Sequence, residues 1–290
     1  MPTFKEQFIK NGNLSFKGMR DTAMSCLPID RVRLDRLYNE LKRGTDILDD
    51  EDHLNMYLRS FGKMHQAKLN TAYKSYPNLG EVVTGEVEVF DWGCGQGIAT
   101  ICLLDFFKRE RRTPNIKKVT LIEPSIPAVN RAKDVINCIC EDIEVCVVNK
   151  VFDKLTEEDF VSNNLPKIHL FSNILDVDLF DLPKFTLLFQ KVFKGVNHFL
   201  CVGPYYGNSK RLDDFLVATD PDLVFANYDL NKGNWEGDWS ISLRVFFKNF
   251  DRIESIQDIR KRIEESHKKN QFFAGYVLDA IFDEFIDTEL

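Results

Sequence analysis

From Val87 onward short apolar runs alternate with longer amphipathic stretches, and this alternation leaves the chain few architectures to choose from. Five runs, Val87 to Asp91, Val119 to Glu123, Ile143 to Val148, Ile168 to Ser172 and Phe199 to Gly203, have strand composition. Helical patterns fall between them near residues 98–109, 127–138 and 181–194. Parallel strands need a long crossover and a helix supplies it, so the order predicts βαβ units in a mostly parallel sheet. A further helix near residues 210–218 leads to two more runs, Leu223 to Tyr228 and Ile241 to Phe247. The glycine-bearing connection from Asn231 to Trp239 is expected to join them as a long hairpin, which makes the terminal strand antiparallel.

The first eighty residues have a different period. Leu54, Tyr57, Leu58, Phe61, Met64 and Leu69 recur at helical intervals, and the turn Tyr76-Pro77-Asn78-Leu79-Gly80 ends the pattern. The expected organisation is a helical segment over residues 1–80, an α/β domain over 81–250 and a C-terminal extension over 251–290. Charged helices are expected there near residues 256–267 and 272–286.

Composition narrows the functional classes. With 290 residues, 44% of them hydrophobic and 29% charged, the chain can bury a sizeable core. The start, MPTFKEQFIKNGNL, lacks the apolar block of a signal peptide, and no apolar run approaches the roughly 20 residues of a membrane span. A cytoplasmic protein without a membrane partner is the expectation. The seven cysteines lack paired metal spacing, so they read as reduced core residues, and the cluster Cys138, Cys140 and Cys146 has no histidine at ligand distance in sequence. No metal is expected. A net charge of -7 argues against coating nucleic acid through the overall field, although basic groups occur locally, as in Lys108-Arg109-Glu110-Arg111-Arg112. Those residues connect a helix to a strand, which places them at the amino edge of the sheet and reads as a solvated face or a remote docking patch.

The motif that carries chemistry is Asp91-Trp92-Gly93-Cys94-Gly95-Gln96-Gly97, three alternate glycines directly after a strand and before a helix. A side chain at Gly95 would obstruct a ligand lying against the turn, and the next helix offers its unpaired N–H groups to polar ligand atoms. Glu123 terminates the following strand 32 residues after Asp91, where a carboxylate can accept both ribose hydroxyls of an adenosine. The spacing does not fit the G-x-G-x-x-G turn of a nicotinamide dehydrogenase. A glycine turn that binds nothing is the bland alternative.

The D-x-G-x-G-x-G pattern and the order of elements over residues 85–250 resemble the class I S-adenosylmethionine-dependent methyltransferases. The resemblance implies a Rossmann-like α/β fold, a seven-stranded mostly parallel sheet with an antiparallel terminal strand. S-adenosylmethionine is the implied cofactor. It implies that Gly93, Gly95 and Gly97 line the cofactor, with Cys94 and Gln96 contributing mainly backbone. Asp91 would face the methionine portion, Glu123 would hold the ribose, and Pro124 with Ser125 would flank the adenine. Many relatives place an acidic residue after the third strand; here Asn149 stands there, and its carbonyl can accept the same bond, with Asp142 and Asp153 as alternatives. Ser172 and Asn173 would shape the methionine pocket.

The acceptor side is read from the ends of the fourth and fifth strands. Asp176 would orient or deprotonate an acceptor, and Tyr205 and Tyr206 would wall its pocket. A solvated loop acid and packing aromatics are the alternatives. The Pro-Pro-aromatic sequence of nucleobase amino-methylating relatives is missing, and Cys201, inside a strand, reads as core rather than nucleophile. Upstream, His65 and Lys68 lie one turn apart; family members cover the cofactor with such a helix, so Lys68 would meet the methionine carboxylate, the alternative being an ordinary polar face. Trp235 and Trp239 would form a lid or pack on the C-terminal helices. RNA is the first acceptor expected, because helices flank the domain and basic patches occur; a small molecule or a protein side chain are the others. The reading from a different class is a noncatalytic cofactor-binding module whose terminal helices recruit a protein partner.

Overall fold

The structure is a computed structural model that describes residues 2–42, 47–161, 163–178, 180–205, 210–231 and 239–269. Four helices open the chain: α1 (Phe4–Asn11), α2 (Phe16–Cys26), α3 (Arg31–Glu40) and the 25-residue α4 (Glu51–Ser75). Each begins where a short polar side chain accepts a backbone N–H of the first turn: Thr3, Ser15, Asp30 and Asp50. A single turn, α5 (Leu79–Val82), follows Pro77.

The α/β part runs β1 (Val87–Trp92), α6 (Ile98–Arg109), β2 (Ile116–Ile122), α7 (Ile126–Ile139), β3 (Glu144–Val148), β4 (Lys167–Ser172), α8 (Leu182–Val192), β5 (Gly195–Pro204), α9 (Lys210–Thr219), β6 (Leu223–Leu230) and β7 (Ile241–Phe250). The sheet order is β3-β2-β1-β4-β5-β7-β6, with β7 antiparallel to both neighbours and the other four pairs parallel. This is the seven-stranded, mostly parallel sheet expected from the sequence. The two-residue alternation along each strand builds two cores. Val87, Val89, Ile168, Leu170, Leu200 and Val202 face a layer made by α2, α4, α6 and α7. Phe90, Trp92, Phe171, Phe199 and Phe246 face α8 and α9 across an aromatic core.

The differences from expectation have polar causes. β2 begins at Ile116, ahead of Val119, because Lys117 and Lys118 occupy strand positions and pair with Glu86 at 3.0 Å and Glu88 at 2.9 Å. β5 begins at Gly195, four residues early, because Asn197 is buried with its amide bonded to Phe193 O and Gly195 O. Glu123 lies one residue beyond β2 rather than closing it. Other members of the basic stretch also meet the N-terminal layer: Arg109 donates to Asn70 Oδ1 at 2.6 Å, and Arg112 lies against Gly80. A helix over residues 256–269 packs on the α9 side, with Ile259 fully buried and Arg262 donating to Ala218 O. The second C-terminal helix, Tyr206, Trp235 and most of the β6–β7 connection lie outside the described residues.

Candidate functional site

The turn between β1 and α6 holds Gly93, Gly95 and Gly97 at φ of 60°, 51° and 74°, the left-handed region that glycine enters without penalty. Their surroundings separate their roles. A Cβ on Gly93 would lie 2.6 Å from Ile174, and one on Gly97 would lie 2.9 Å from Ala132, so these two permit close packing of the turn. A Cβ on Gly95 would meet no atom within 4 Å. Gly95 therefore opens onto space, as a ligand-facing position requires.

Two carboxylates stand under this turn. Asp91, at the end of β1, is buried; its Oδ2 accepts from Thr100 N at 3.1 Å and Thr100 Oγ1 at 2.7 Å, which pins the first turn of α6. Burial, reinforced by the nearby Glu123 charge and opposed by the Thr100 bonds, pushes its carboxyl up to about 6. Glu123 joins two turns: Oε2 accepts from Gly95 N at 3.0 Å and Oε1 from Ser125 N at 2.9 Å. Burial raises its pKa, and these two backbone bonds pull the other way. Ser125 in turn caps α7 through Ala128 N.

Helix α4 roofs the turn. Gln96, expected to contribute mainly backbone, uses its side chain as a tie: Nε2 donates to Leu54 O at 2.9 Å, and Oε1 accepts from Arg131 Nη1 at 2.8 Å. Arg131, buried on α7, also donates to Asn55 Oδ1 at 2.9 Å, pairs with Glu51 and lies over the Phe4 ring. Sequence reading missed Arg131, since one cation in an amphipathic helix carries no signal of its burial.

Beneath this roof lies a cavity of about 410 Å³, within the range of roughly 300–1,000 Å³ usual for small-molecule sites. Its wall brings together Asp91, Gly93, Cys94, Gly95, Gln96, Glu123, Pro124, Ser125, Ser172 and Asn173. Val151, Phe152 and Asp153 close one side, and Ile174, Val177 and Phe180 another. Tyr57 and His65 face it from α4. Asn173, at φ 57°, donates to His65 Nδ1 at 2.7 Å, and His65 Nε2 meets Tyr57 Oη at 3.0 Å. Tyr57 had registered only as part of an apolar helical face; its place two turns from His65 was the available signal.

The other expected site residues stand off this wall. Gly97 is behind it as the N-cap of α6. Asn149 braces the site from outside, its amide donating to Glu123 O and Pro124 O, both at 2.8 Å. Lys68 is buried behind His65, its amine pushed down to about 8 by burial while Asp176 pulls it up. Asp176 is itself raised by burial, and its Oδ1 is buried without a hydrogen-bond partner among the described residues. Tyr205 follows β5 and is half-buried.

No family model matches the chain, and no curated protein sequence does. Solved structures with a similar fold include the mitomycin 7-O-methyltransferase MmcR, at 13% identity over 81% of this chain and 71% of that one, with a TM-score of 0.47. The putative methyltransferase SMU.1697c from Streptococcus mutans, in complex with SAH, has 15% identity over 62% and 97% of the two chains, with a TM-score of 0.41. The small RNA methyltransferase HEN1 has 11% identity over 66% and 26%, with a TM-score of 0.44. The strand order with its antiparallel β7 and flanking helices is the class I S-adenosylmethionine-dependent methyltransferase fold.

Proposed function

We propose that the protein transfers a methyl group from S-adenosylmethionine to an acceptor bound at the β4–β5 side of the cavity. The observation that carries this reading is the joint placement of an open Gly95, the paired Glu123 and the polar end of β4 on one cavity wall. The cofactor, when bound, supplies a methyl carbon already activated by its sulfonium. The chain supplies position and exclusion of water. In this reading Glu123, fixed by Gly95 and Ser125, receives the ribose hydroxyls. Pro124, with Val151 to Asp153, flanks the base, while Asn149 holds the backbone of Glu123 and Pro124 in place. Asp91, Ser172 and Asn173 border the methionine portion, as does the backbone of Cys94 and Gln96. Asp176 and Tyr205 act from the two strand ends nearest the acceptor.

RNA is the acceptor to test first, ahead of small molecules and protein side chains. The experiment is incubation with methyl-labelled S-adenosylmethionine and fractionated RNA, protein and small-molecule extracts, followed by identification of the labelled product. Label in any fraction supports transfer. Cofactor binding without label in any fraction favours the second reading, a cofactor-binding module that recruits a protein partner through its terminal helices. One observation speaks for that module: Ile29 and Val32, at the α2–α3 corner, are 100% and 78% exposed.

A further inference from the structure

The side chains of Tyr57, His65 and Asn173 form one hydrogen-bonded chain on the cavity wall, and donor counting gives it a direction. Asn173 Nδ2 has two hydrogens, and it donates them to His65 Nδ1 at 2.7 Å and Ser172 Oγ at 3.2 Å. A ring nitrogen that accepts carries no proton, so the proton of neutral His65 sits on Nε2 and is donated to Tyr57 Oη. The ring stays neutral, because burial and the adjacent Lys68 hold its pKa down to about 3. Tyr57 therefore accepts from His65 and keeps its own hydroxyl hydrogen for another partner. Burial, with the charges of Glu123 and Asp176, raises its pKa and retains that hydrogen. Leu54, Ile174 and Val177 also line this cavity, and both oxygens of Glu123 already accept from Gly95 N and Ser125 N.

We propose that Tyr57 donates a hydrogen bond to the methyl acceptor, its direction set by Asn173 through His65, and that the acceptor presents a carbonyl-type oxygen or unprotonated ring nitrogen there. This rests on the methyl-transfer reading above. Tyr57 is the contacting group, and His65 and Asn173 are positioning residues. A cationic amine has no lone pair for Tyr57 and is disfavoured.

Two measurements test the proposal. Nitrogen-15 spectra of the unliganded protein should show His65 as the Nε2–H tautomer, unchanged from pH 5 to 8, and Asn173→Asp should switch it to a protonated Nδ1. With S-adenosylhomocysteine bound, benzamide should bind and shift the His65 signals, benzylamine should bind more weakly, and Tyr57→Phe should weaken benzamide by about 3- to 10-fold. An Nδ1–H tautomer in the native chain, stronger binding of benzylamine, or benzamide binding that is absent or indifferent to Tyr57→Phe would overturn the proposal. Failure of S-adenosylhomocysteine to bind would overturn the cofactor reading instead, and the tautomer would still decide the direction of the chain.

Discussion

Arg131 on α7 donates to Gln96 in the glycine turn at 2.8 Å and to Asn55 on α4 at 2.9 Å, so one guanidinium ties the roof of the cavity to its floor. Removing it leaves two buried amide oxygens without their donor. Arg131→Ala should lower stability by about 2–4 kcal/mol in urea unfolding. It should also weaken S-adenosylmethionine in calorimetry, because Gln96, which ties the glycine turn to Leu54 O, loses its own donor. Unchanged affinity would show that the roof holds without this tie.

Gly95 and Gly97 should respond differently to the same change. Both sit at positive φ, so alanine strains both, by about 1–2 kcal/mol. Gly97→Ala adds a contact with Ala132 at 2.9 Å, while Gly95→Ala adds none with protein. The greater loss of thermal stability is expected at Gly97, and the greater loss of cofactor affinity relative to stability at Gly95. A reversed pattern would place the ligand elsewhere.

Glu123→Ala should weaken S-adenosylmethionine by about 10- to 100-fold, the scale of a charge-assisted hydrogen bond. Part of that loss comes through the turn itself, since Gly95 N and Ser125 N lose their acceptor. A deoxyribose analogue separates the two contributions: the mutation should cost it less than it costs the native cofactor. Equal losses would leave Glu123 a purely structural role.

Acid should destabilise the protein through its buried histidines. His65 and His169 are held down to about 3 and His198 to about 4, against 6.5 in the unfolded chain. Between these values the unfolded state binds more protons, so stability present above pH 6.5 is lost as pH falls, by about 1.4 kcal/mol per pH unit for each histidine. Asp91 acts in the opposite sense between about 6 and 3.8, because its folded pKa is raised. Urea unfolding should show lower stability at pH 5.5 than at pH 7. His198→Gln should shrink that difference, and a difference of the same size in the variant would rule out His198 as a contributor.

Asp176→Asn and Tyr205→Phe should each reduce methyl transfer more than cofactor affinity, since an acceptor-orienting group helps chiefly after both reactants are in place. For Asp176 the structure adds a buried oxygen without a hydrogen-bond partner among the described residues and a neighbouring buried Lys68. Normal turnover in both variants with the identified acceptor would remove both from the reaction.

Much of this architecture was legible because alternation and period are local properties. Val87 to Gly97 announced a strand, a glycine turn and a helix, and the turn fell where expected. What stayed hidden depended on partners distant in sequence. Lys118 resembled a surface residue until Glu88 appeared beside it, and Arg131 until Gln96, Asn55 and Glu51 did. Asn149 sat at the right strand end, yet its amide turns back to the β2–α7 connection, an orientation that strand position alone does not encode. Tyr57 and His65 lay in a helix that could be read as amphipathic, and only Asn173, more than a hundred residues away, joins them to the end of β4 in one hydrogen-bonded chain.

Every residue of α6 from Ile98 to Phe107 is buried, with the sheet on one side and helices α2 and α4 among its neighbours. During synthesis the first eighty residues leave the ribosome before this helix exists, at about 5–20 residues per second. The bonds from Phe16 N to Asp105 Oδ2 and from Tyr73 Oη to Ala99 O therefore form only after α6 has emerged. The N-terminal helices and the α/β half share one core, so the full set of contacts of the first exists only once the second has been made.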